Sequence, residues 1–283
     1  MSDFSPTFLV DWMRCPRYAL FHKAAWTPRL LGKKDFAALV GEGVHAGLAV
    51  LYGEEWDKDR ATGQTKRVMA ERWARWQTEK RTWPESPKDL TRSLEEWQGI
   101  AGHMVRHYAS VPTYPSHASQ SWSHVPLGET WAVELTLGHG RIDWLGRVEG
   151  EWAVVDFKTK LALADRYRAD LADLFDAWAL YDYCSRASAH LGTPVRLALI
   201  QTVVYEPATI IEATLRISDT QMAAWEQDAQ WYRLAITDNT NSLLPRNWTR
   251  CKNFGFNAPC DFLTACWQDG GTPNELEYVK ETR

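Results

Sequence analysis

The sequence lacks the excess of basic residues that is typical of proteins that bind nucleic acid nonspecifically through a positively charged surface. Its 283 residues carry 32 Lys and Arg against 36 Asp and Glu, a net charge of −4, and that class is excluded. We find no apolar run near the roughly 18 residues of a membrane span, and no signal-peptide pattern at the N-terminus. These absences predict a cytoplasmic protein with no membrane partner.

Cysteine is scarce and odd in number, at five residues. An odd count without an export signal disfavours a disulfide framework and favours metal binding. Cys251, Cys260 and Cys266 lie within 16 residues of irregular sequence. A set of unrelated buried thiols is the alternative, because free cysteine is often buried. Cys184 lies among apolar residues of a predicted helix, and we assign it to the core.

Hydrophobic periodicity predicts an α/β fold in three parts: a helical region over 1–128, a core over 129–244 and an irregular, cysteine-rich tail over 245–283. In the core, short apolar or alternating runs separated by glycine-containing turns are typical of strands. The predicted strands are 129–136, 140–147, 150–158, 195–205 and 208–216, and the predicted core helices are 165–190 and 218–236.

Acidic side chains recur on three consecutive predicted strands, as Glu134, Asp143 and Asp156. Lys158 follows Asp156 by two residues, so both side chains project from the same face of a strand. Clustered carboxylates repel one another unless a cation neutralises them, and their oxygens suit Mg²⁺ or Mn²⁺. For an isolated D-x-K pattern, the alternative is an ion pair at the end of a strand.

The pattern G-R-I-D at 140–143, followed by V-V-D-F-K-T at 154–159, resembles the core of the PD-(D/E)XK nuclease superfamily, in its RecB-like branch. That branch includes nuclease domains of recombination helicases, CRISPR-adaptation nucleases and phage exonucleases. Other matches occur in the family's order: C-P-R-Y at 15–18, G-x-x-x-H at 41–45, and the three C-terminal cysteines. The resemblance implies a restriction-endonuclease-like mixed sheet flanked by helices.

The resemblance also implies roles for individual residues. His45, Asp143 and Asp156 would bind one or two Mg²⁺ or Mn²⁺ ions together with the backbone carbonyl of Phe157. Lys158 would be the catalytic lysine, and Glu134 would act directly or through water. For His45 taken alone, a core histidine with satisfied hydrogen bonds is the alternative.

Two further features follow from the same resemblance. Relatives hold a [4Fe–4S] cluster with one N-terminal and three C-terminal cysteines, which implies Cys15, Cys251, Cys260 and Cys266 here if the two chain ends meet. The usual C-x-x-C pair is absent, so zinc or no metal stays an alternative. Many relatives also carry Gln-x-x-x-Tyr on the next helix. This chain has no Gln there; Asp176 stands near the Gln position and Tyr181 near the Tyr.

Taken together, the resemblance implies a metal-dependent DNA nuclease, an exonuclease acting on single strands or DNA ends. The setting would be recombination, repair or spacer-type DNA processing in a bacterial or phage-infected cell, with a helicase or a recombination or adaptation protein as partner. Two alternatives are a catalytically inactive DNA-binding or assembly subunit with the same fold, and a zinc-stapled structural protein with an incidental D-x-K.

Charge is segregated along the chain. Residues 129–182 carry eleven acids against six bases, whereas 1–34 and 60–110 each have four more bases than acids. The basic helical stretch could form a strand-binding arch with bases stacked on tryptophans, although tryptophan at helical spacing is also typical of a core. The arch residues would be Trp73, Trp76, Trp83, Trp97, Arg67, Arg72, Arg75 and Arg81.

Overall fold

The computed structural model describes residues 4–53, 56–83, 92–111, 130–137, 140–162, 174–238, 260–262, 266, 273 and 277–280. The helices of this part of the chain are α1 (Pro6–Arg14), α2 (Pro16–Lys23), α3 (Lys33–Gly53), α4 (Lys58–Thr78), α5 (Leu94–Ser110), α6 (Leu174–Leu191) and α7 (Asp219–Asp238). Its strands are β1 (Trp26–Pro28), β2 (Thr130–Leu137), β3 (Gly140–Val148), β4 (Glu151–Ala162), β5 (Leu197–Glu206), β6 (Thr209–Arg216) and β7 (Tyr278–Lys280).

A five-stranded mixed sheet with the order β2-β3-β4-β5-β6 forms the centre of the fold. Strands β2, β3 and β4, which correspond to the first three predicted strands, pair antiparallel in sequence. Strand β5 lies parallel to β4 after the crossover through α6, and β6 is antiparallel to β5. The predicted α/β class, with a mixed sheet flanked by helices, is confirmed. The predicted helix over 165–190 is observed from Leu174, and residues 163–173 lie outside the described part.

Helices cover both faces of the sheet, and each face has its own core. On one face, α3, α4 and α5 contribute residues such as Leu48, Met69 and Trp97, which cluster with Trp144 and Val155 of the sheet. On the other face, α6 and α7 pack against a second cluster that includes Cys184, in agreement with its predicted core position. The helices before residue 128 therefore share a core with the strands after it, while the predicted boundaries at 128 and 244 fall outside the described residues.

Helix α3 is the most apolar helix of the fold. Its segment Lys34–Gly53 is long and apolar enough to cross a membrane by length and composition alone, with a mean hydropathy of 1.4. The expectation that the chain contains no such stretch is therefore wrong. The apolar side chains of α3, Phe36, Leu39, Val44 and Leu48 among them, are buried against α4, α5 and the sheet, and burial on several sides explains the composition.

Two glycines let α3 and α4 approach closely. A Cβ atom at Gly43 would lie 2.7 Å from Met69 Cγ. A Cβ at Gly47 would lie 2.8 Å from Val105 Cγ2 and would collide with Thr65. Because these are core contacts rather than flexible surface tips, α3 can pack this closely against α4 and α5 only with small residues at these positions.

We predict that Gly47→Ala lowers the free energy of unfolding by about 1–3 kcal/mol, because the added methyl overpacks the junction of α3, α4 and α5. The matched control is Gly63→Ala in α4, where a Cβ would meet nothing within 4 Å. That change should raise stability by about 0.5–1 kcal/mol, since alanine loses less backbone entropy in a helix. Urea unfolding measures both, and equal stability of the two variants would contradict the packing argument.

Candidate metal centre

The candidate site begins where the pairing of β3 with β4 ends. The ladder runs from Val148 opposite Glu151 to Trp144 opposite Val155. At the next level, the Phe157 backbone N–H donates to Asp143 Oδ2 at 2.8 Å. A side-chain carboxylate thus takes the place of a strand carbonyl, which satisfies the buried amide and holds Asp143 at the end of the ladder.

Strand β2 adds Glu134 at the same level. Val133 lies opposite Trp144 and Leu135 lies opposite Ile142, yet Val133 packs on the α3 side of the sheet and Leu135 on the α6 side. The strand therefore changes face at Glu134, whose φ is +50°. A non-glycine residue in this conformation costs about 1–3 kcal/mol, a strain that proteins retain mainly at functional sites.

Helix α3 supplies the third group, His45. One turn before it, a Cβ at Gly41 would lie only 3.3 Å from Thr159 Oγ1 of β4, so the glycine permits close contact between helix and strand. His45 Nδ1 lies 3.4 Å from Asp143 Oδ1, and the His45 ring meets the Phe157 ring edge-on with centroids 6.3 Å apart. The predicted G-x-x-x-H motif therefore reaches the predicted strand motif.

His45, Glu134 and Asp143 each offer one ligand atom, and these atoms all lie within 4.8 Å of one another. Two carboxylates and an imidazole are donors that suit Mn²⁺ or Mg²⁺. The group contains His45 and Asp143 of the predicted ligand set, together with Glu134, for which a direct or water-mediated role was predicted. The ligand role of Asp156 stays a prediction. The donors that the chain gathers here fit a divalent cation.

The electrostatics of the three side chains are coupled. Burial by itself would lower the pKa of His45, but the hydrogen bond to Asp143 and the charges of Asp143, Asp156 and Glu134 outweigh it and raise that pKa above its ordinary value of 6.5. Burial likewise opposes ionisation of Asp143, yet its contacts with His45 and the Phe157 amide keep the pKa lowered. For Glu134, burial prevails over the nearby Arg141 and raises the pKa.

Asp156 and Lys158 form an ion pair beside this group. Lys158 Nζ lies 2.8 Å from Asp156 Oδ2, as expected for two side chains on the same face of a strand. The Asp156 carboxylate is nearly buried, whereas 39% of the Lys158 side chain is exposed. The lysine can therefore meet a substrate from solvent while the carboxylate anchors it.

Two tyrosines of α6 lie on the side of the sheet that α7 covers. Tyr181 stacks on Trp225 of α7 with centroids 6.2 Å apart, and its substrate-positioning role stays a prediction. Tyr183 was not singled out from the sequence; burial, followed by the charge of Asp156, raises its pKa. Helical spacing could have identified Tyr183, because it follows the sheet-facing Leu180 by three residues. Asp176 falls in α6, but its side chain lies outside the described part.

The proposed strand-binding arch is contradicted for three of its residues. Trp76 and Trp97 are buried around Phe36, with Trp97 stacked on it at a centroid distance of 5.4 Å. Arg81 is also buried and is paired with Asp35 at 2.8 Å. These side chains stabilise the helical core and offer no surface on which a base could stack.

The two chain ends meet, as the four-cysteine arrangement requires. Strand β1 pairs antiparallel with β7, and Phe262 packs against Tyr18 and Phe21 of α2. Cys15, at the start of α2, is buried, and so are Cys260 and Cys266. Cys251 lies outside the described residues.

The described thiols lie too far apart for one zinc ion. In the described part of the chain, His45, Glu134 and Asp143 are the only group of three or more ligating side chains within 4.8 Å of one another. Cysteine sulfurs around a tetrahedral zinc lie about 3.8 Å apart, so Cys15, Cys260 and Cys266 are not gathered at that spacing.

Comparison with known proteins identifies one family. The model of the PD-(D/E)XK nuclease superfamily matches residues 3–266. A solved structure titled "Crystal structure of SSO0001" is similar over 92% of this chain and 95% of that chain, at 14% identity and a TM-score of 0.31. At that TM-score, the likeness informs neither fold nor function. No curated protein matches the chain.

We predict that Asp143→Asn weakens Mn²⁺ binding by more than about 10-fold, because it removes one of two clustered charges. Binding by the unchanged protein should strengthen from about pH 6 to about pH 8. Below its raised pKa, His45 is protonated and repels the ion; above it, the neutral ring can ligate. Calorimetric titration measures both effects.

The matched control is Asp219→Asn, at the start of α7. It alters an exposed carboxylate that is paired with Arg196. Its Mn²⁺ affinity should equal that of the unchanged protein at every pH. If Asp143→Asn binds Mn²⁺ as tightly as the control does, these residues are not a metal centre.

Proposed function

Because this chain belongs to the PD-(D/E)XK nuclease superfamily, we propose that it is a phosphodiesterase that cleaves DNA with the help of Mg²⁺ or Mn²⁺. The observation that carries the proposal is the convergence of His45, Glu134 and Asp143, within 4.8 Å, beside the Asp156–Lys158 ion pair. The carboxylates of Glu134 and Asp143 lie side by side, and a divalent cation between them would offset their mutual repulsion.

The residues that would hold the ions are His45, Glu134 and Asp143, joined by Asp156 and the Phe157 carbonyl from the set that the resemblance implies. A bound divalent cation supplies positive charge that acidifies water and stabilises charge on a phosphate. Near-burial of Asp143 and Asp156 keeps the local dielectric low, which strengthens their pull on any cation.

Lys158 is placed to act on the reacting phosphate. Its ammonium is anchored by Asp156 at 2.8 Å and is partly exposed, so it can donate to a non-bridging phosphate oxygen and offset the charge that develops there. It would also help to position or deprotonate the attacking water. Water then attacks phosphorus in line, the bond from phosphorus to the 3′ oxygen breaks, and that oxygen takes up a proton.

We further propose an exonuclease acting on single strands or DNA ends in the cytoplasm, during recombination, repair or spacer-type processing. Support comes from the resemblance to RecB-like nucleases and from the segregation of charge. The acids are concentrated in 129–182, and the basic excess lies in 1–34 and 60–110, where a phosphate backbone would be attracted. We also propose a helicase, or a recombination or adaptation protein, as a partner that supplies the DNA.

For the chain ends, we propose a [4Fe–4S] cluster held by Cys15, Cys251, Cys260 and Cys266. The three described thiols are buried, and the α2–Phe262 packing brings two of these chain segments together. The spacing of the thiols disfavours a single zinc ion, as argued above. A cluster there would act as a clip that joins distant parts of the chain and would serve folding rather than catalysis.

We predict that Asp156→Ala and Lys158→Ala each abolish cleavage of end-labelled single-stranded DNA with Mn²⁺, while circular dichroism and the unfolding midpoint stay near those of the unchanged protein. Blocking the 5′ end and the 3′ end in turn should protect the substrate at one end only. Protection by neither block would indicate an endonuclease and would contradict the exonuclease proposal.

The control for these variants is Lys58→Ala, which removes an exposed lysine at the start of α4. It should cleave at the rate of the unchanged protein. Retained cleavage by both site variants would overturn the nuclease assignment. DNA binding without cleavage by the unchanged protein would instead support the inactive assembly subunit.

For the cluster, anaerobically purified protein should contain about four iron and four sulfide per chain and absorb in the visible range. Cys260→Ser should lose this absorbance, whereas Cys184→Ala, which changes a thiol of the sheet core, should keep it. Elemental analysis that finds zinc, or no metal, would contradict the proposal. So would full structure and activity in a Cys260→Ser protein that has lost its cluster.

A further inference from the structure

A chain of buried hydrogen bonds crosses the fold behind the metal centre. The Tyr52 and Tyr108 hydroxyls are 2.5 Å apart. The Tyr108 hydroxyl donates to Gln201 Oε1 at 2.6 Å, and Gln201 Nε2 donates to Glu212 Oε2 at 2.8 Å. This hydrogen-bond chain joins α3, α5, β5 and β6, and its central residues, Tyr108 and Gln201, are completely buried.

Each bond in this chain fixes the direction of the next. An ionised Glu212 carboxylate can only accept, so it orients the Gln201 amide with its nitrogen toward β6 and its oxygen toward Tyr108. Tyr108 must then donate to that oxygen and accept from Tyr52. Such a directed chain restrains the rotation of both tyrosine rings, and short bonds in a low dielectric reinforce one another.

The two rings enclose the side chain of Phe157. Tyr52 stacks on it with centroids 6.0 Å apart and an interplanar angle of 15°. Tyr108 meets it edge-on at 5.9 Å and 86°, and Gln201 lies directly opposite Phe157 in the β4–β5 register. The backbone N–H of the same Phe157 holds Asp143 at the metal centre. A shift of the phenyl ring is therefore transmitted to Asp143.

We propose that the Tyr52–Tyr108–Gln201–Glu212 chain is a positioning device that holds Phe157, and through it Asp143, in the geometry that binds the metal ion. The inference rests on the proposed function of the metal centre. None of the four residues belongs to the ligand group, so they are positioning residues. The distinctive consequence is that removing one buried hydroxyl loosens a metal site that it does not touch.

The test is Tyr108→Phe, which keeps the ring and removes only the hydroxyl. We expect the Kd for Mn²⁺, measured by calorimetry in the absence of DNA, to rise about 10-fold and kcat to fall about 10-fold. The KM for DNA should change by less than about 2-fold, because no DNA contact is lost. Tyr52→Phe should act in the same direction. The double variant should be no worse than Tyr108→Phe, since the hydroxyls act as one unit.

The matched control is Val203→Ala, on the same strand as Gln201 and buried in the same core as Phe157. It should lower the urea midpoint at least as much as Tyr108→Phe does, yet leave the Kd for Mn²⁺ unchanged. This comparison separates positioning from general stability. If Tyr108→Phe fails to fold, Tyr52→Phe decides the question, because Tyr52 lies at the end of the hydrogen-bond chain.

Normal Mn²⁺ affinity in the tyrosine variants would overturn the positioning proposal, and so would an equal loss of affinity in Val203→Ala. The nuclease proposal would remain intact in both cases, provided that the unchanged protein cleaves DNA. The reverse result, in which the variants lose Mn²⁺ affinity but the unchanged protein cleaves no DNA, would support positioning and overturn the nuclease.

Discussion

The hydrogen bond from the Phe157 amide to the Asp143 carboxylate is the contact on which the site depends. It ends the β3–β4 ladder, satisfies a buried backbone N–H, and fixes a buried carboxylate next to His45. Without it, the buried amide would lack a hydrogen bond, at a cost of about 1–3 kcal/mol. The same bond thus ends a strand pair and holds Asp143 beside His45 and Glu134.

Packing on both faces of the sheet makes this arrangement rigid. On one face, Gly41 lets α3 approach β4, and Gly43 and Gly47 let α3 pack closely against α4 and α5. On the other face, α6 packs against the sheet through Leu180 and Cys184. The Tyr52 and Tyr108 rings around Phe157 connect core packing with the site, since they belong to the core and also support the backbone that holds Asp143.

The distribution of charged residues along the chain is more informative than the net charge. A net charge of −4 excludes a uniformly basic surface, but the charges are unevenly distributed. Residues 129–182 carry eleven acids against six bases, and Glu134, Asp143 and Asp156 are three of these acids, on β2, β3 and β4. Burial raises the pKa of Glu134 while His45 holds that of Asp143 down. Groups with such perturbed pKa values are often found at functional sites.

Local patterns in the sequence determined much of this molecule. Alternation predicted the strands, D-x-K spacing placed Asp156 and Lys158 on one face, and the ordered motifs indicated the family and His45. The strands and the shared face of Asp156 and Lys158 depend on the period of two that the backbone imposes on a strand, whereas the family and the role of His45 are what the resemblance implied.

Only the tertiary structure decided which side chains meet. Glu134 joins His45 and Asp143 because β2 changes face there, and no period of two anticipates that change. Tyr181 packs against Trp225 of α7, whereas burial and then the charge of Asp156 raise the pKa of Tyr183. Trp76 and Trp97 are core rather than surface, and the Tyr108–Gln201 bond joins residues 93 positions apart. Period assigns a residue to a face, whereas its neighbours across that face depend on how separate elements pack.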